Sequence, residues 1–144
     1  MMKLNPYLNF NGNAEEAFNF YKSVFGGEFG MISRFKEVPE DAKQAGHLKD
    51  VDGEKIMHIS LPVGDCILMA SDFPESMGKL QNGNNFSISL EVDTKEVAGK
   101  FFLALSEGGK ITMPIADMFW GAYYGMLEDK FGIRWMISYT YPKK

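Results

Sequence analysis

The stretch FWGAYYGMLEDKFGIRWMISY, from Phe119 to Tyr139, decides the fold. Apolar and aromatic residues flank the polar segment Asp129-Lys130-Phe131-Gly132, and a turn that ends in glycine between two apolar runs is typical of a β-hairpin. A weaker copy, MHISLPVGDCILMASD, spans Met57 to Asp72 and predicts a hairpin that turns at Gly64-Asp65. The chain is therefore predicted to be built twice, with any functional site between the two copies.

The first hairpin is preceded by a strand, a helix and a further strand. The residues from Leu4 to Phe10 alternate in polarity, which predicts a strand. Asn13 is expected to cap a helix that ends at Gly26-Gly27, since glycine tolerates the left-handed backbone that closes a helix. The residues from Glu28 to Phe35 then predict a second strand.

The second hairpin follows the same order of elements. Alternation from Phe86 to Val92 predicts a strand, and Asp93 with Glu96 has the spacing of a capping box at a helix start. The helix is expected to end at Gly108-Gly109, and a short strand to cover Lys110 to Met113. Two copies of strand, helix and three strands are thus predicted.

Residue spacing supports this duplication. The two glycine pairs that end the helices lie 82 positions apart, whereas Met69 and Met136 lie 67 apart. The first copy therefore holds the longer insertion, a charged loop from Lys36 to Lys55 that includes His47. We predict one domain over residues 1–144, with a first module at about 1–72, a linker at 73–85 and a second module at about 86–141.

Composition excludes several classes of function. The 144 residues are 45% hydrophobic and 24% charged, as in ordinary globular proteins, and the formal net charge of −4 argues against a nucleic-acid partner. No apolar run is long enough for a membrane span, so no membrane association is expected. Cys66 is the only cysteine, which fits a reducing cytoplasm, and its apolar strand predicts a small core residue.

Three segments resemble a known family: PYLNFNGNAEEAFNFYKSVFGGE, MHISL with ILMASD, and FWGAYYGMLEDKFGIRWMIS. Their order is similar to that of the vicinal oxygen chelate superfamily, which includes glyoxalase I, extradiol dioxygenases, and bleomycin and fosfomycin resistance proteins, and within it to the PhnB-like branch. The resemblance implies an α+β fold in which two βαβββ modules pair into one curved, barrel-like mixed sheet with a concave cleft. It also implies a homodimer.

The same resemblance implies a divalent metal held by His or Glu on the first and last strands of each module. The matching positions here are Asn5 or Pro6, Met69, Ser87 and Met136. Thioether, hydroxyl and amide groups are poor ligands for the ions that such sites hold. We therefore expect no metal and no other cofactor.

Counting back from the predicted turns gives the register of each hairpin. The turn at Gly64-Asp65 places Ser60 opposite Met69 and His58 opposite Ser71. Directly paired residues share one face of a sheet, so His58 and Ser60 are expected to face the cleft.

In the second hairpin the same count places Tyr123 opposite Ser138, and Gly125 opposite Met136, where the glycine would leave room in the cleft. Mixed apolar walls with a few polar anchors are the usual composition of a small-molecule site. The predicted cleft lining comprises Tyr7, Asn9, His58, Ser60, Met69, Ser71, Ser87, Glu91, Trp120, Tyr123, Arg134 and Met136.

Each anchor has a plain structural alternative. His58 and Glu91 are the candidate catalytic residues, but His58 could equally be a hydrogen-bonded strand histidine and Glu91 a solvated carboxylate. Arg134 either clamps an anionic ligand or pairs with Glu128 or Asp129 near the turn.

The predicted function is metal-free binding of a small molecule, such as a toxic or antibiotic compound that the protein sequesters. One alternative is a divergent metal-dependent lyase or dioxygenase of the same superfamily. Another is a structural or regulatory dimer with a filled cleft. For Trp120 and Tyr124 a place in the core or the dimer interface is favoured over stacking on a ligand. These alternatives stay open at the level of sequence.

Overall fold

The computed structural model describes residues 2–39 and 52–143, so His47 and most of the charged loop lie outside the described residues. The chain divides into two compact units, Met1–Gln81 and Asn82–Lys144. The boundary falls inside the segment 73–85.

The first unit is a four-stranded mixed sheet with one long helix. Its elements are β1 (Tyr7–Phe10), α1 (Ala14–Phe25), β2 (Met31–Arg34), β3 (Ile56–Val63) and β4 (Cys66–Asp72), with short 3-10 turns at Phe35–Glu37 and Glu75–Met77. The strand order is β1-β4-β3-β2, and β1 runs parallel to β4 while the other neighbours are antiparallel.

The second unit repeats this plan. Its elements are β5 (Ile88–Glu91), α2 (Lys95–Ser106), β6 (Lys110–Met118), β7 (Ala122–Glu128) and β8 (Arg134–Thr140), in the strand order β5-β8-β7-β6. Strand β6 is longer than the predicted strand and ends at Met118. The predicted order of strand, helix and three strands is therefore confirmed in both copies.

The strand register confirms the internal duplication. Tyr7 lies beside Met69 in the parallel pair of the first unit, and Ser89 lies beside Met136 in that of the second. The offset of 82 positions relates Tyr7 to Ser89, and the offset of 67 positions relates Met69 to Met136. The longer insertion of the first copy therefore falls between β2 and β3.

Each unit packs its helix on one face of its own sheet, and we call the opposite side the helix-free face. Helix α1 contacts β3 and β4, and its Phe18 ring meets Phe10 of β1 edge-on at 6.3 Å between centroids. Helix α2 contacts β6, β7 and β8. Buried apolar side chains fill the helix side of the two sheets: Leu8, Phe10, Ile59, Leu61, Leu68, Ala70, Leu127, Trp135 and Ile137.

Both predicted helix caps are corrected by the structure. Asn13 precedes α1 but its side chain makes no capping hydrogen bond; the Ala14 N–H donates instead to Asp72 of β4. In the second unit Thr94, not Asp93, caps α2, because its Oγ1 accepts a hydrogen bond from the Val97 N–H at 3.1 Å.

The two hairpins differ in how well their registers were predicted. In the first, Ser60 lies opposite Met69, as predicted. In the second, the prediction is wrong by one residue, because Tyr124 rather than Tyr123 lies opposite Ser138. The loop between Glu128 and Arg134 is longer than the assumed turn.

The buried Asp129 carboxylate organises that loop. It accepts hydrogen bonds from the backbone N–H groups of Phe131 and Ile133 at 2.9 and 3.0 Å, and from Trp135 Nε1 at 2.9 Å. The shifted register places Gly125 opposite Ile137, on the helix side of the sheet. A side chain there would collide with Phe102 of α2, so Gly125 permits close packing and does not open a cleft.

Cys66 is a further correction. The thiol belongs to the first residue of β4, directly after the turn, and it is exposed instead of buried in the core. The turn residues Gly64 and Asp65 beside it are exposed as well, so an apolar neighbourhood in the sequence did not imply burial at this position.

Candidate functional site

Strand alternation on β1 separates the core of the first unit from its helix-free face. Leu8 and Phe10 are buried, whereas Tyr7 and Asn9, which alternate with them, are exposed, with 47% of Tyr7 accessible to solvent. This is the predicted assignment, and it follows from the two-residue period of a strand. Tyr7 thus presents a partly exposed aromatic ring on the helix-free face.

Three polar side chains from three strands meet on this face, and we call them the Tyr7–His58–Ser71 cluster. The Tyr7 hydroxyl lies 3.2 Å from His58 Nδ1 and also makes a short hydrogen bond to Ser71 Oγ. The rings of Tyr7 and His58 are tilted by 35° with centroids 5.7 Å apart. Ser71 Oγ in turn donates to the Met57 carbonyl oxygen at 2.6 Å.

The neighbours of the cluster mix thioether, amide and hydroxyl groups. Met69 lies beside Tyr7 on one side and opposite Ser60 on the other, and Asn9 lies beside Ser71. Ser33 of β2 pairs with His58 and is buried. The first sheet therefore brings together six predicted site residues on one face: Tyr7, Asn9, His58, Ser60, Met69 and Ser71.

The helix-free face of the second sheet carries three more of the predicted residues, Glu91, Arg134 and Met136. Glu91 Oε1 accepts a hydrogen bond from the Thr140 N–H at 3.1 Å. Arg134 Nη1 lies 3.7 Å from Glu128 Oε1. Of its two predicted roles, Arg134 therefore has the ion pair with Glu128 near the turn. Both charged groups thus have partners within the second unit. Met136 lies between Ser89 and Met126 on the same sheet.

Tyr123 is not on the helix-free face. It pairs with Tyr139, and the Lys95 ammonium at the start of α2 lies 4.8 Å from the centre of its ring. A cation over an aromatic face is attracted by the electron-rich ring. Tyr141 hydrogen-bonds Asp117, and its hydroxyl is the main cause that raises the pKa of Lys95. Tyr123 therefore belongs to this helix-side cluster.

Trp120 and Ser87 lie outside the strands. Trp120 is in the turn between β6 and β7, 53% exposed, and its ring meets that of Tyr124 edge-on at 5.4 Å. Tyr124 is the residue that the shifted register brings to the helix-free face, opposite Ser138, and burial raises the pKa of its hydroxyl. Ser87 directly precedes β5. A loop of five residues between the two strands, in place of four, would have paired Tyr124 with Ser138 from the sequence alone.

A polar cavity of about 360 Å³ lies at one end of the strands of the first sheet, a site that sequence reasoning missed. Two of its cations are held by hydrogen bonds: Arg34 donates two to the Glu15 carboxylate, at 3.0 and 2.7 Å, and Lys55 donates one to the Gly12 carbonyl oxygen at 2.9 Å. The hydrogen bond from Arg34 lowers the pKa of Glu15. The lining comprises Gly12, Glu15, Arg34, Asp52, Glu54, Lys55, Ile56 and Asp72.

The positions that hold a metal in the related superfamily do not fit one here. The Asn5 amide oxygen already accepts the Ile67 N–H at 3.0 Å, and two other positions hold the thioethers of Met69 and Met136. Within residues 2–39 and 52–143, no three His, Cys, Asp or Glu side chains are grouped as a metal site would need. Hard and borderline divalent ions require imidazole or carboxylate donors, which these positions lack.

No helix in the described part of the chain has the length and apolar character needed to span a membrane.

Comparison with known proteins agrees with this geometry. The family model described as Glyoxalase/Bleomycin resistance protein/Dioxygenase superfamily matches residues 3–137. Protein YjdN of Escherichia coli K12 is 30% identical over 141 residues, which cover 95% of each chain.

Solved structures are similar over nearly the whole chain. Protein PA1353 from Pseudomonas aeruginosa is 39% identical with a TM-score of 0.84, and the match covers 97% of this chain and 98% of that one. A Bacillus cereus structure described as a putative 3-demethylubiquinone-9 3-methyltransferase, PhnB protein, is 26% identical with a TM-score of 0.74 and coverage of 96% and 100%. The chain has the glyoxalase-like fold and belongs to the glyoxalase/bleomycin resistance protein/dioxygenase superfamily, in its PhnB-like branch.

Proposed function

We propose that this protein binds a small organic molecule on the helix-free face of its first sheet, without the help of a metal. The observation that carries the proposal is the Tyr7–His58–Ser71 cluster. Its three side chains come from β1, β3 and β4, and they form a continuous hydrogen-bonded group that no packing requirement of a sheet demands. Polar anchors of this kind fix the orientation of a bound ligand.

The surroundings of the cluster suit an organic ligand. The partly exposed ring of Tyr7 offers a flat apolar surface, and the adjacent Met69 has a flexible, polarizable side chain that adapts to different ligand shapes. Asn9 adds an exposed amide beside Ser71, whereas Ser60 is buried on the same face. Because the superfamily includes bleomycin resistance proteins, we propose a toxic or antibiotic compound as the class of ligand.

Thermal denaturation in the presence of a compound library tests this function. A ligand at about 100 times its Kd adds roughly 2.7 kcal/mol to the free energy of unfolding. We expect at least one compound class to raise the melting temperature of the wild type but not that of Tyr7→Phe or His58→Gln. Ser89→Ala is the matched control, since Ser89 occupies the position equivalent to Tyr7 in the second unit.

Two results would contradict the proposal. A compound that stabilises all four proteins equally binds elsewhere. Failure of a broad library would favour the alternative of a structural or regulatory protein.

A metal-dependent lyase or dioxygenase is the second candidate. It is favoured by one observation, the hydrogen bond that holds the His58 ring, because such a bond is typical of histidines that serve as ligands or bases. Untagged protein dialysed against Zn, Ni, Fe or Mn would be analysed by mass spectrometry. Binding near one equivalent that His58→Gln abolishes supports an enzyme, and less than about a tenth of an equivalent excludes that candidate.

We also propose that two copies of the chain form a homodimer in the cytoplasm. The turn between β6 and β7 exposes Phe119 almost completely and Trp120 by half, and the edge strand β6 exposes Ile111 and Met113. Exposed apolar side chains on and beside an edge strand favour association. Light scattering should give about twice the mass of 16.2 kDa for the wild type, and a smaller mass for Phe119→Ser; equal masses would contradict the proposed interface.

A further inference from the structure

The hydrogen bonds of the Tyr7–His58–Ser71 cluster have a direction that follows from counting protons. A backbone carbonyl oxygen can only accept, so Ser71 must donate its single hydroxyl proton to the Met57 oxygen, 2.6 Å away. Ser71 Oγ then has only lone pairs left to offer to Tyr7. Tyr7 must therefore donate its own proton to Ser71.

The last bond of the chain is fixed in the same way. The Tyr7 hydroxyl has one proton, and it is used in the bond to Ser71, so the contact of 3.2 Å to the imidazole requires a proton on His58 Nδ1. A neutral imidazole carries only one N–H. Its other nitrogen, Nε2, is then a bare acceptor.

We propose that His58 is held as the Nδ1–H tautomer, and that its Nε2 accepts the hydroxyl proton of a bound phenol or enol. This inference rests on the proposed function, because it names the ligand chemistry of the same face. No hydrogen-bond partner for Nε2 is found among residues 2–39 and 52–143. No side-chain nitrogen that is buried in this part of the chain lacks a partner, so Nε2 is not a buried atom and a ligand can reach it. The exposed ring of Tyr7 offers a flat apolar surface on which a planar hydroxylated ligand can lie.

The tautomer decides which ligands are accepted and which are rejected. With a bare Nε2, a hydroxyl donor gains a hydrogen bond, whereas an ether or carbonyl oxygen would meet a lone pair and leave both groups unsatisfied. With the opposite tautomer Nε2 would donate a hydrogen bond, which hydroxyl, ether and carbonyl oxygens can all accept, so the preference would be lost.

Nitrogen NMR of protein labelled with ¹⁵N in its histidine rings tests the tautomer directly, without any ligand. The chain has two histidines, so His47→Gln assigns the signals of His58. We expect Nδ1 to resonate as a protonated nitrogen and Nε2 as an unprotonated one. Tyr7→Phe, which removes the acceptor, should shift the ring toward a mixture of tautomers; a protonated Nε2 in the neutral wild type would overturn the inference.

Titration with phenol and with its methyl ether, anisole, tests the ligand class. We expect phenol to move the Nε2 signal of the wild type, with a much smaller effect from anisole and from phenol on Tyr7→Phe. If anisole binds as well as phenol, the face binds small molecules but the inference about the hydroxyl proton fails. If neither probe acts while a library compound stabilises the wild type and not Tyr7→Phe, the proposed function stands and the phenol inference falls.

Discussion

The Asp72 carboxylate and the Ala14 N–H are joined by a hydrogen bond of 2.9 Å, although they lie 58 residues apart in the chain. The other carboxylate oxygen accepts the Ile56 N–H at 2.8 Å. One side chain at the end of β4 thereby satisfies the first N–H of α1 and the first N–H of β3. Asp72 is only 4% exposed, so neither donor would find water easily in its absence.

Replacing Asp72 by Asn should lower the free energy of unfolding by about 2 kcal/mol, because an amide keeps the shape but puts a donor against one of the two buried N–H groups. Urea denaturation would measure the change. Asp93→Asn, at an exposed position that makes no capping bond, is the control and should alter stability by less than about 0.5 kcal/mol. Equal values for the two variants would show that Asp72 does not act as the cap.

Replacing the residue before each helix, Thr94 or Asn13, by Ala should change the free energy of unfolding by different amounts. Thr94→Ala removes the side-chain oxygen that accepts the Val97 N–H and should cost about 1 kcal/mol. Asn13→Ala removes a side chain that makes no capping bond and should cost clearly less. The comparison uses the same urea titration, and a larger loss for Asn13→Ala would contradict the observed caps.

Two glycines of the second unit should respond oppositely to Ala. At Gly125 a Cβ would lie 2.7 Å from the Ile115 Cα and 2.8 Å from Phe102 Cε2, so Gly125→Ala should destabilise the protein by about 1–3 kcal/mol. Gly99, in α2, has no atom within 4 Å of an added Cβ. Because Ala is a better helix former, Gly99→Ala should stabilise it by about 0.5–1 kcal/mol. Opposite shifts in thermal midpoint would confirm the pair, and equal shifts would refute it.

The ion pair of Glu15 with Arg34 should give a pH-dependent contribution to stability. The hydrogen bond from Arg34 lowers the pKa of Glu15 in the folded state below its ordinary 4.5. The contribution is therefore fully present above pH 4.5 and is lost as the pH falls through the folded pKa. Since 46% of the Glu15 side chain is exposed, it should be below about 1 kcal/mol.

Comparison of the wild type with Glu15→Gln across this range measures that contribution. The two stabilities should differ at pH 6 and converge as the pH is lowered toward 3. A difference that stays constant, or grows as the pH falls, would show that the pair is not responsible.

Short-range patterns predicted the strands and their faces, and longer-range chemistry explains what was missed. The two-residue turn at Gly64-Asp65 left one register for the first hairpin, so Ser60 was correctly paired with Met69. The second hairpin turns through a five-residue loop whose length depends on the buried Asp129 and its bond to Trp135. That interaction is invisible in local sequence, so Tyr123 was assigned the wrong face.

The candidate site shows the same division. Alternation along β1 and β3 placed Tyr7 and His58 on one face, since the period of a strand is insensitive to what surrounds it. The hydrogen bonds that join Tyr7 to His58 and Ser71 could not be predicted, because they depend on side-chain positions across three strands. The pairing of Arg34 with Glu15 could not be predicted either, because it joins a strand end to a helix start across 19 residues of chain.

The two helix caps also have different places in the order of folding. Thr94 caps α2 from three residues away, so this bond can form as soon as the first helical turn does. Asp72 can reach Ala14 only after a loop of 58 residues has closed and β4 has joined the sheet. Loss of the local cap should therefore slow refolding, whereas loss of the distant one should accelerate unfolding. The two helices of this duplicated plan are therefore expected to differ in when their N-terminal caps form, that of α2 early in folding and that of α1 late.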